Sequence, residues 1–299
     1  MRYLITGSNG LLGQKLAASA PADAEIVQID LQEGSVTAGA FPYRRIDLGE
    51  RAVVMALMKE FQPDWVVNAA AYTHVDGAEK ERERCWRANV TAVENLTRAC
   101  RRHHAKLVHV STDYIFDGQN GPYSEEERPN PIGYYGKSKL AGENVLRASD
   151  IHFAVARTMV LYGQAQSVRP NFVTWLIDTL QKRQTVRIVD DQFGNTTLAD
   201  ELAEGLWRIV AANASGFYHV AGREIIDRYH FARLIAEVFG LDAALITRIK
   251  TAELGQTAPR PMNSGLRVDK ALRVLGLSLS DARGGLLRLQ QQLAPPMTA

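Results

Sequence analysis

The sequence predicts an α/β protein, a doubly wound parallel sheet followed by a smaller mixed α/β C-terminal lobe. Three observations carry that expectation. Short, nearly continuous apolar runs alternate with amphipathic helical stretches through the first half of the 299-residue chain, as in a parallel sheet covered on both faces. A glycine-rich turn, "ITGSNGLLG", follows the first of those runs. After residue 160 or so the alternation loses its regularity, which suggests a division into 1–160 and 161–299.

The elements follow in order. "RYLITG" (2–7) reads as a strand and "GLLGQKLAASA" (10–20) as the helix after it. "EIVQIDL" (25–31) is the second strand, and Asp47, in "RRIDL", follows a short third one. "ERAVVMALMKEF" (50–61) is helical, with apolar residues on one face. "DWVVNAAA" (64–71), "AKLVHVSTD" (105–113) and "HFAVARTM" (152–159) complete the strands of the first part. In the second part, "NFVTWLIDTLQKR", "LADELAEGLWRIVAA", "YHFARLIAEVFG" and "DKALRVLGL" read as helices. "TVRIVDD" and "GFYHVAG" read as strands there, and 216–222 is a candidate to rejoin the main sheet. The tail "LAPPMTA" is expected to fray.

The charge balance, 35 basic against 33 acidic residues, gives no polybasic surface, so neither a nucleic-acid nor a membrane partner is expected. The two cysteines, Cys85 and Cys100, fall in helix-like stretches without metal-ligand spacing. They read as free thiols in a reducing compartment, with no metal site. "MRYLITGSNG" lacks the pattern of a leader peptide, and no apolar run approaches about 18 residues. A soluble, cytoplasmic protein is the expectation.

Gly7, Gly10 and Gly13 lie between the first strand and the first helix. Glycines there allow a tight turn and close backbone approach to a pyrophosphate, whose charge the helix N-terminus attracts. Leu11 and Leu12 belong to the same turn. Asp30 ends the second strand, where an acid can hydrogen-bond the ribose hydroxyls of an adenosine half. Together they point to a Rossmann-type domain that binds NADH or NADPH. Asp30 repels a 2′-phosphate and no Arg follows it, which leans toward NADH. Asp47 could sit by the adenine.

Tyr135 and Lys139 stand four apart in "YYGKSKLAGE" (134–143), on one face if that segment is helical. An ammonium beside a phenol is expected to lower its pKa from about 10 and make it a usable acid or base. On spacing alone such a pair is more often solvated helix surface. "HVSTDYIFDG", however, places Ser111, Thr112 and Asp113 at the end of a predicted strand, on the edge where open α/β sheets bind ligands. A hydroxyl there can steady a developing alkoxide. "NAAAYTHVD" ends its own strand at that edge, with Ala69, Ala70 and Ala71 small enough for a dinucleotide to lie against them.

With "GSNGLLGQKL", "NAAAYTHVDGAEKE", "STDYIFDG", "YYGKSKLAGE", "DDQFGNTT" and "RPMNSGL", nearly the whole chain resembles the extended short-chain dehydrogenase/reductases, and within them the dTDP-4-dehydrorhamnose reductases. The resemblance implies reduction of the C4 keto group of a dTDP-linked 4-keto-deoxysugar. Tyr135 would be the proton donor. Lys139 would hold the nicotinamide ribose, and Thr112 would polarise the carbonyl. Gly10, Leu11 and Leu12 would cradle the pyrophosphate, Asp30 the ribose, and Asp47 with Leu48 the adenine, while Ala69, Ala70 and Ala71 pass along the cofactor. Val75, Asp113 and Tyr114 would line the substrate site, with Asn171, Arg260 and Asn263 toward its nucleotide end. Three positions depart from the family's pattern. Val160 stands where many members have Trp, and Thr196 where many have Pro. Lys15 stands where some carry a Glu that helps bind magnesium at a dimer interface. Lys15 would repel a cation, so the resemblance implies a monomer or weak homodimer without a metal bridge. Two alternatives stay open. One is another nucleotide-sugar ketoreductase, epimerase or dehydratase. The other is a non-catalytic subunit similar to the regulatory subunit of methionine adenosyltransferase.

Overall fold

The computed structural model describes residues 1–294 apart from 38 and 40; the end of the tail expected to fray lies outside the described residues. The first half runs β1 (Arg2–Thr6), α1 (Leu11–Ala18), β2 (Glu25–Asp30), β3 (Tyr43–Arg45), α2 (Arg51–Phe61) and β4 (Trp65–Asn68). Two short helices follow, α3 (Val75–Ala78) and α4 (Arg82–Trp86). A π-helical stretch, Arg87–Thr91, joins α4 to α5 (Ala92–His103). Then come β5 (Lys106–Thr112), α6 (Tyr134–Arg147) and β6 (Phe153–Thr158).

The second half is more broken. It contains β7 (Leu161–Tyr162), α7 (Phe172–Gln181), β8 (Val186–Val189), β9 (Phe193–Asn195), β10 (Thr197–Leu198), α8 (Ala199–Ala211) and β11 (Gly216–His219). It ends with β12 (Ile225–Asp227), α9 (Arg228–Val238), β13 (Ile246–Ile249), α10 (Thr251–Leu254), α11 (Asp269–Leu275) and α12 (Ala282–Leu293).

Seven strands form one parallel sheet in the order β11-β6-β5-β4-β1-β2-β3. The expected Rossmann-type doubly wound sheet is therefore present, and its order reverses between β1 and β4. That is the switch point at which such sheets open a ligand crevice. The register sets Thr6 beside Asn68 and Asn68 beside His109 in a single row.

Each face of the sheet carries its own apolar layer, because strands buried on both sides have no polar face to spare. Val54, Leu57 and Met58 of α2 and Val93, Leu96 and Cys100 of α5 cover one face. On the other, Leu12 and Leu16 of α1 pack with Leu202, Leu206 and Trp207 of α8. Trp207 stands edge-on to Tyr3 and donates its indole N–H to Leu16 O at 3.2 Å. So α8 and β11, though late in the chain, belong to the first layer's packing, and a division at 160 separates sequence more cleanly than structure. A third cluster, including Leu176, Ile188, Phe231 and Leu286, holds the remaining C-terminal elements together. Strands β13 and β8 pair in parallel there, β12 and β9 antiparallel.

Both cysteines are buried free thiols. Among the described residues, no helix is long and apolar enough to cross a membrane, and no group of three His, Cys, Asp or Glu side chains could hold a metal ion. The Lys15 ammonium bonds Asp200 Oδ1 and Gln292 Oε1, each at 3.0 Å.

Candidate active site

The carboxyl ends of the strands open into a cleft of about 1300 Å³. Pockets for one drug-sized ligand run to roughly 300–1,000 Å³, so two extended ligands could lie here end to end.

One half of the cleft is built from backbone. Gly7 adopts φ +66°, and a Cβ there would sit 2.7 Å from Ala70 N. A Cβ on Gly13 would fall 2.2 Å from Gly7 O. Only glycine lets β1, α1 and the alanine strand end approach so closely. Gly10 caps α1 without a side chain, leaving the first-turn amides of Leu11, Leu12 and Gly13 with no helical acceptor. Those amides and the helix dipole suit a pyrophosphate. Asp30 accepts from Asn9 N at 3.1 Å and Leu31 N at 2.7 Å, which pins its carboxylate at the cleft wall. Asp47 also lines the cleft and takes hydrogen bonds from Gly49 N (2.7 Å) and Arg87 (2.9 Å). These contacts hold its carboxyl below the usual range despite partial burial. Leu48, Ala69, Ala70 and Ala71 complete this wall. The cradle fits a dinucleotide, as does the Ser111 hydroxyl, which lines the cleft, is buried, and has no partner among the described residues.

The centre of the cleft holds Thr112, Tyr135 and Lys139, all buried. Helix α6 starts at Tyr134, whose N–H is taken by Glu79 Oε1 at 2.7 Å and whose ring lies under Arg82. Tyr135, one position on, turns into the cleft and meets Tyr114 edge-on at 5.5 Å. Burial pushes its phenol pKa up, against a smaller opposing pull from the Thr112 hydroxyl. The spacing argument expected the reverse, a pKa lowered by Lys139. What it could not include is desolvation, which favours the neutral phenol. Lys139 is itself depressed to about 8, chiefly by burial and against the attraction of Glu143. Its Nζ donates to Val110 O at 2.7 Å and lies 3.3 Å from His109 Nε2.

Thr112 Oγ1 accepts from Tyr114 N at 3.2 Å and donates to Asp113 Oδ1 at 3.0 Å. Asp113 also accepts from Ser264 Oγ at 2.6 Å, which explains why the C-terminal "RPMNSGL" belongs with "STDYIFDG". Burial outweighs these bonds and lifts the Asp113 carboxyl to about 6.

The other half of the cleft is built from side chains. Val75, Tyr114, Asn171 and Arg260 line it. Two of them are already engaged. Asn171 caps α7 through Thr174 N (3.1 Å) and donates to Gly163 O (2.8 Å). Arg260 pairs with Asp76 at 2.8 Å. Asn263 is a correction: it does not line the cleft, but bonds Gly121 O and Gly118 O and so ties that loop to β9. Val160 lines the cleft at φ +44°, a conformation that a β-branched residue adopts only under strain. Thr196 is buried, its hydroxyl unpartnered among the described residues.

The sequence reading missed Arg228, Trp175, Gln192 and Arg187, all in the wall of this half. Among the described residues the Arg228 guanidinium forms no ion pair; it lies 5.6 Å from the Phe172 ring. Burial lowers its pKa, partly offset by Tyr114 and Asp113. No local motif announces these residues, because α7, β8, the turn before β9 and α9 bring them together from distant positions. On the opposite wall, the π-helical stretch supplied a further missed residue, Arg87, to the cleft.

Comparison with known proteins identifies the family. The family described as RmlD substrate binding domain matches residues 1–294, and the chain belongs to it. A dTDP-4-dehydrorhamnose reductase from Aggregatibacter actinomycetemcomitans is 32% identical over 94% of this chain and 95% of its own. Methionine adenosyltransferase 2 subunit beta from Xenopus laevis is also 32% identical, over 90% of this chain and 81% of its own. The structure of dTDP-4-dehydrorhamnose reductase from Bacillus anthracis in complex with NADP has a TM-score of 0.88 at 30% identity. It covers 97% of this chain and 99% of that one.

Proposed function

We propose that this chain reduces the C4 keto group of dTDP-4-dehydro-L-rhamnose to dTDP-L-rhamnose with NADH or NADPH, in the cytoplasm. One observation carries the reading: Tyr135, Thr112 and Lys139 converge at the seam between a backbone cradle for a dinucleotide and a cationic side-chain wall. When bound, the reduced nicotinamide supplies a hydride to C4. The chain's own residues do the rest. Tyr135, kept protonated by burial, donates its phenolic proton to the oxygen as negative charge develops there. Thr112, turning its hydroxyl from Asp113 toward that oxygen, adds a hydrogen bond at the same atom. Lys139 places a cation behind the phenol and steadies the phenolate it becomes.

Arg228, a cation with no carboxylate partner, suits the substrate's diphosphate, and half-exposed Trp175 offers a flat face to its base. Asp30 keeps a negative charge where a 2′-phosphate would lie, which supports a preference for NADH. The likeness to the methionine adenosyltransferase subunit favours a second reading, a partner subunit without turnover. Purified protein given dTDP-6-deoxy-L-lyxo-4-hexulose should oxidise NADH, and NADPH more slowly. No oxidation of either cofactor, together with retained cofactor binding, would select the second reading.

A further inference from the structure

Behind Lys139 runs a row of buried polar groups that the reaction does not use directly. Thr6 of β1, Asn68 of β4 and His109 of β5 are neighbours in register, so their side chains leave the same face of the sheet. All three are buried. Thr6 Oγ1 lies 2.6 Å from Asn68 Oδ1, Asn68 Nδ2 lies 2.9 Å from His109 Nδ1, and His109 Nε2 lies 3.3 Å from Lys139 Nζ. The row thus ends on Lys139 Nζ.

Hydrogen-bond accounting fixes its direction. Thr6 Oγ1 accepts from Ala70 N at 3.3 Å, and its own proton has one acceptor, Asn68 Oδ1. Asn68 then turns its N–H to His109 Nδ1. A neutral imidazole that accepts at Nδ1 carries its hydrogen on Nε2, facing Lys139. That arrangement needs a lone pair on Nζ, which only the neutral amine has. If Lys139 is an ammonium, Nε2 must accept instead. The ring hydrogen then sits on Nδ1, Asn68 presents its oxygen to it, and the Thr6 proton loses its acceptor.

We propose that His109 and Asn68 are positioning residues that couple the charge of Lys139 to the imidazole tautomer, so that the sheet holds Lys139 poised between ammonium and amine. Between the two states the Lys139–His109 pair loses one proton, through the cleft that Lys139 lines: Lys139 ends as the amine and the ring hydrogen ends on Nε2 instead of Nδ1, leaving the ring neutral in both. Burial keeps it so, holding the His109 pKa well below 6.5 with help from Lys139. The other titratable groups that act on Lys139 are Glu143 on its own helix and Cys85 on α4. Glu143 is committed to Arg157 in a buried pair at 2.8 Å, and burial holds the Cys85 thiol up. That leaves His109 as the neighbour free to answer a change at Nζ.

The coupling deepens the reductase reading but is tested apart from it, by imidazole nitrogen NMR on the whole protein without substrate. The His109 hydrogen should move from Nδ1 to Nε2 as pH rises through about 8, with no imidazolium signal at either end. The transition should vanish in Lys139→Met. In Asn68→Asp, where the carboxylate can only accept, the hydrogen should stay on Nδ1 across the range. If the substrate assay succeeds, the alkaline limb of kcat/KM in that variant should move up by about half a pH unit or more. A single tautomer from pH 6 to 10 in the natural protein, or a transition that survives in Lys139→Met, overturns the proposal. Absent turnover alone would count only against the reductase reading.

Discussion

The two halves of the cleft handle ligand charge by different means. Around β1 and α1 the binding groups are peptide amides held by glycines, and side chains mostly keep out of the way. Across the seam, past Tyr135, charge is met by guanidinium groups and amide side chains on a lobe of short strands. An amide cradle has fixed geometry and tolerates no added atom. A side-chain wall can be varied residue by residue, which is how one cofactor site can serve many substrates.

The seam is where the contrast should break most sharply. Tyr135→Phe should lower kcat by roughly 10²–10⁴-fold, the usual worth of a positioned acid. Its cofactor Kd, read by fluorescence titration, should stay within about twofold. Normal turnover in that variant would remove Tyr135 from the chemistry. On the amide side, Gly7→Ala must place a Cβ 2.7 Å from Ala70 N at positive φ. The left-handed backbone alone costs about 1–2 kcal/mol, and cofactor affinity should fall along with Tm. Cofactor binding as tight as in the parent would show that the cradle is less rigid than its packing implies.

On the side-chain side, Arg228→Met should raise KM for the sugar nucleotide by about 10–100-fold, from the loss of charge-assisted hydrogen bonds worth roughly 1.5–3 kcal/mol. Cofactor affinity should be untouched. Arg260→Met should do less to KM and more to stability, because Arg260 already pairs with Asp76, 184 residues earlier in the chain. Equal effects of the two substitutions on KM would mean that the Asp76 pair opens when substrate binds.

The same contrast explains what the sequence made legible. Gly7, Gly10, Gly13 and Asp30 could be read because a phosphate loop is local: one strand, one turn, one helix. That Tyr135 and Lys139 share one cleft could be read because four residues span one helical turn and "HVSTDYIFDG" marked the sheet edge they face. Arg228 and Trp175 could not, since no spacing within α7 or α9 says that they share a wall. Asn263 was misplaced for the converse reason, since a motif can be recognised without knowing which of its side chains face inward. The sign of the Tyr135 shift was missed because burial is a property of the whole fold. The short strands β7, β9, β10 and β12 carry too little pattern to be seen.

The packing of α8 against α1, with β11 beside β6, bears on any attempt to cut the protein down. A fragment ending at residue 160 would keep Gly7, Gly10, Gly13 and helix α6. It would also bare the apolar side of α1 and leave β6 as an unpaired edge, a ready template for intermolecular pairing. The first half is therefore not a portable module: residues 199–219 cover its α1 face and its β6 edge.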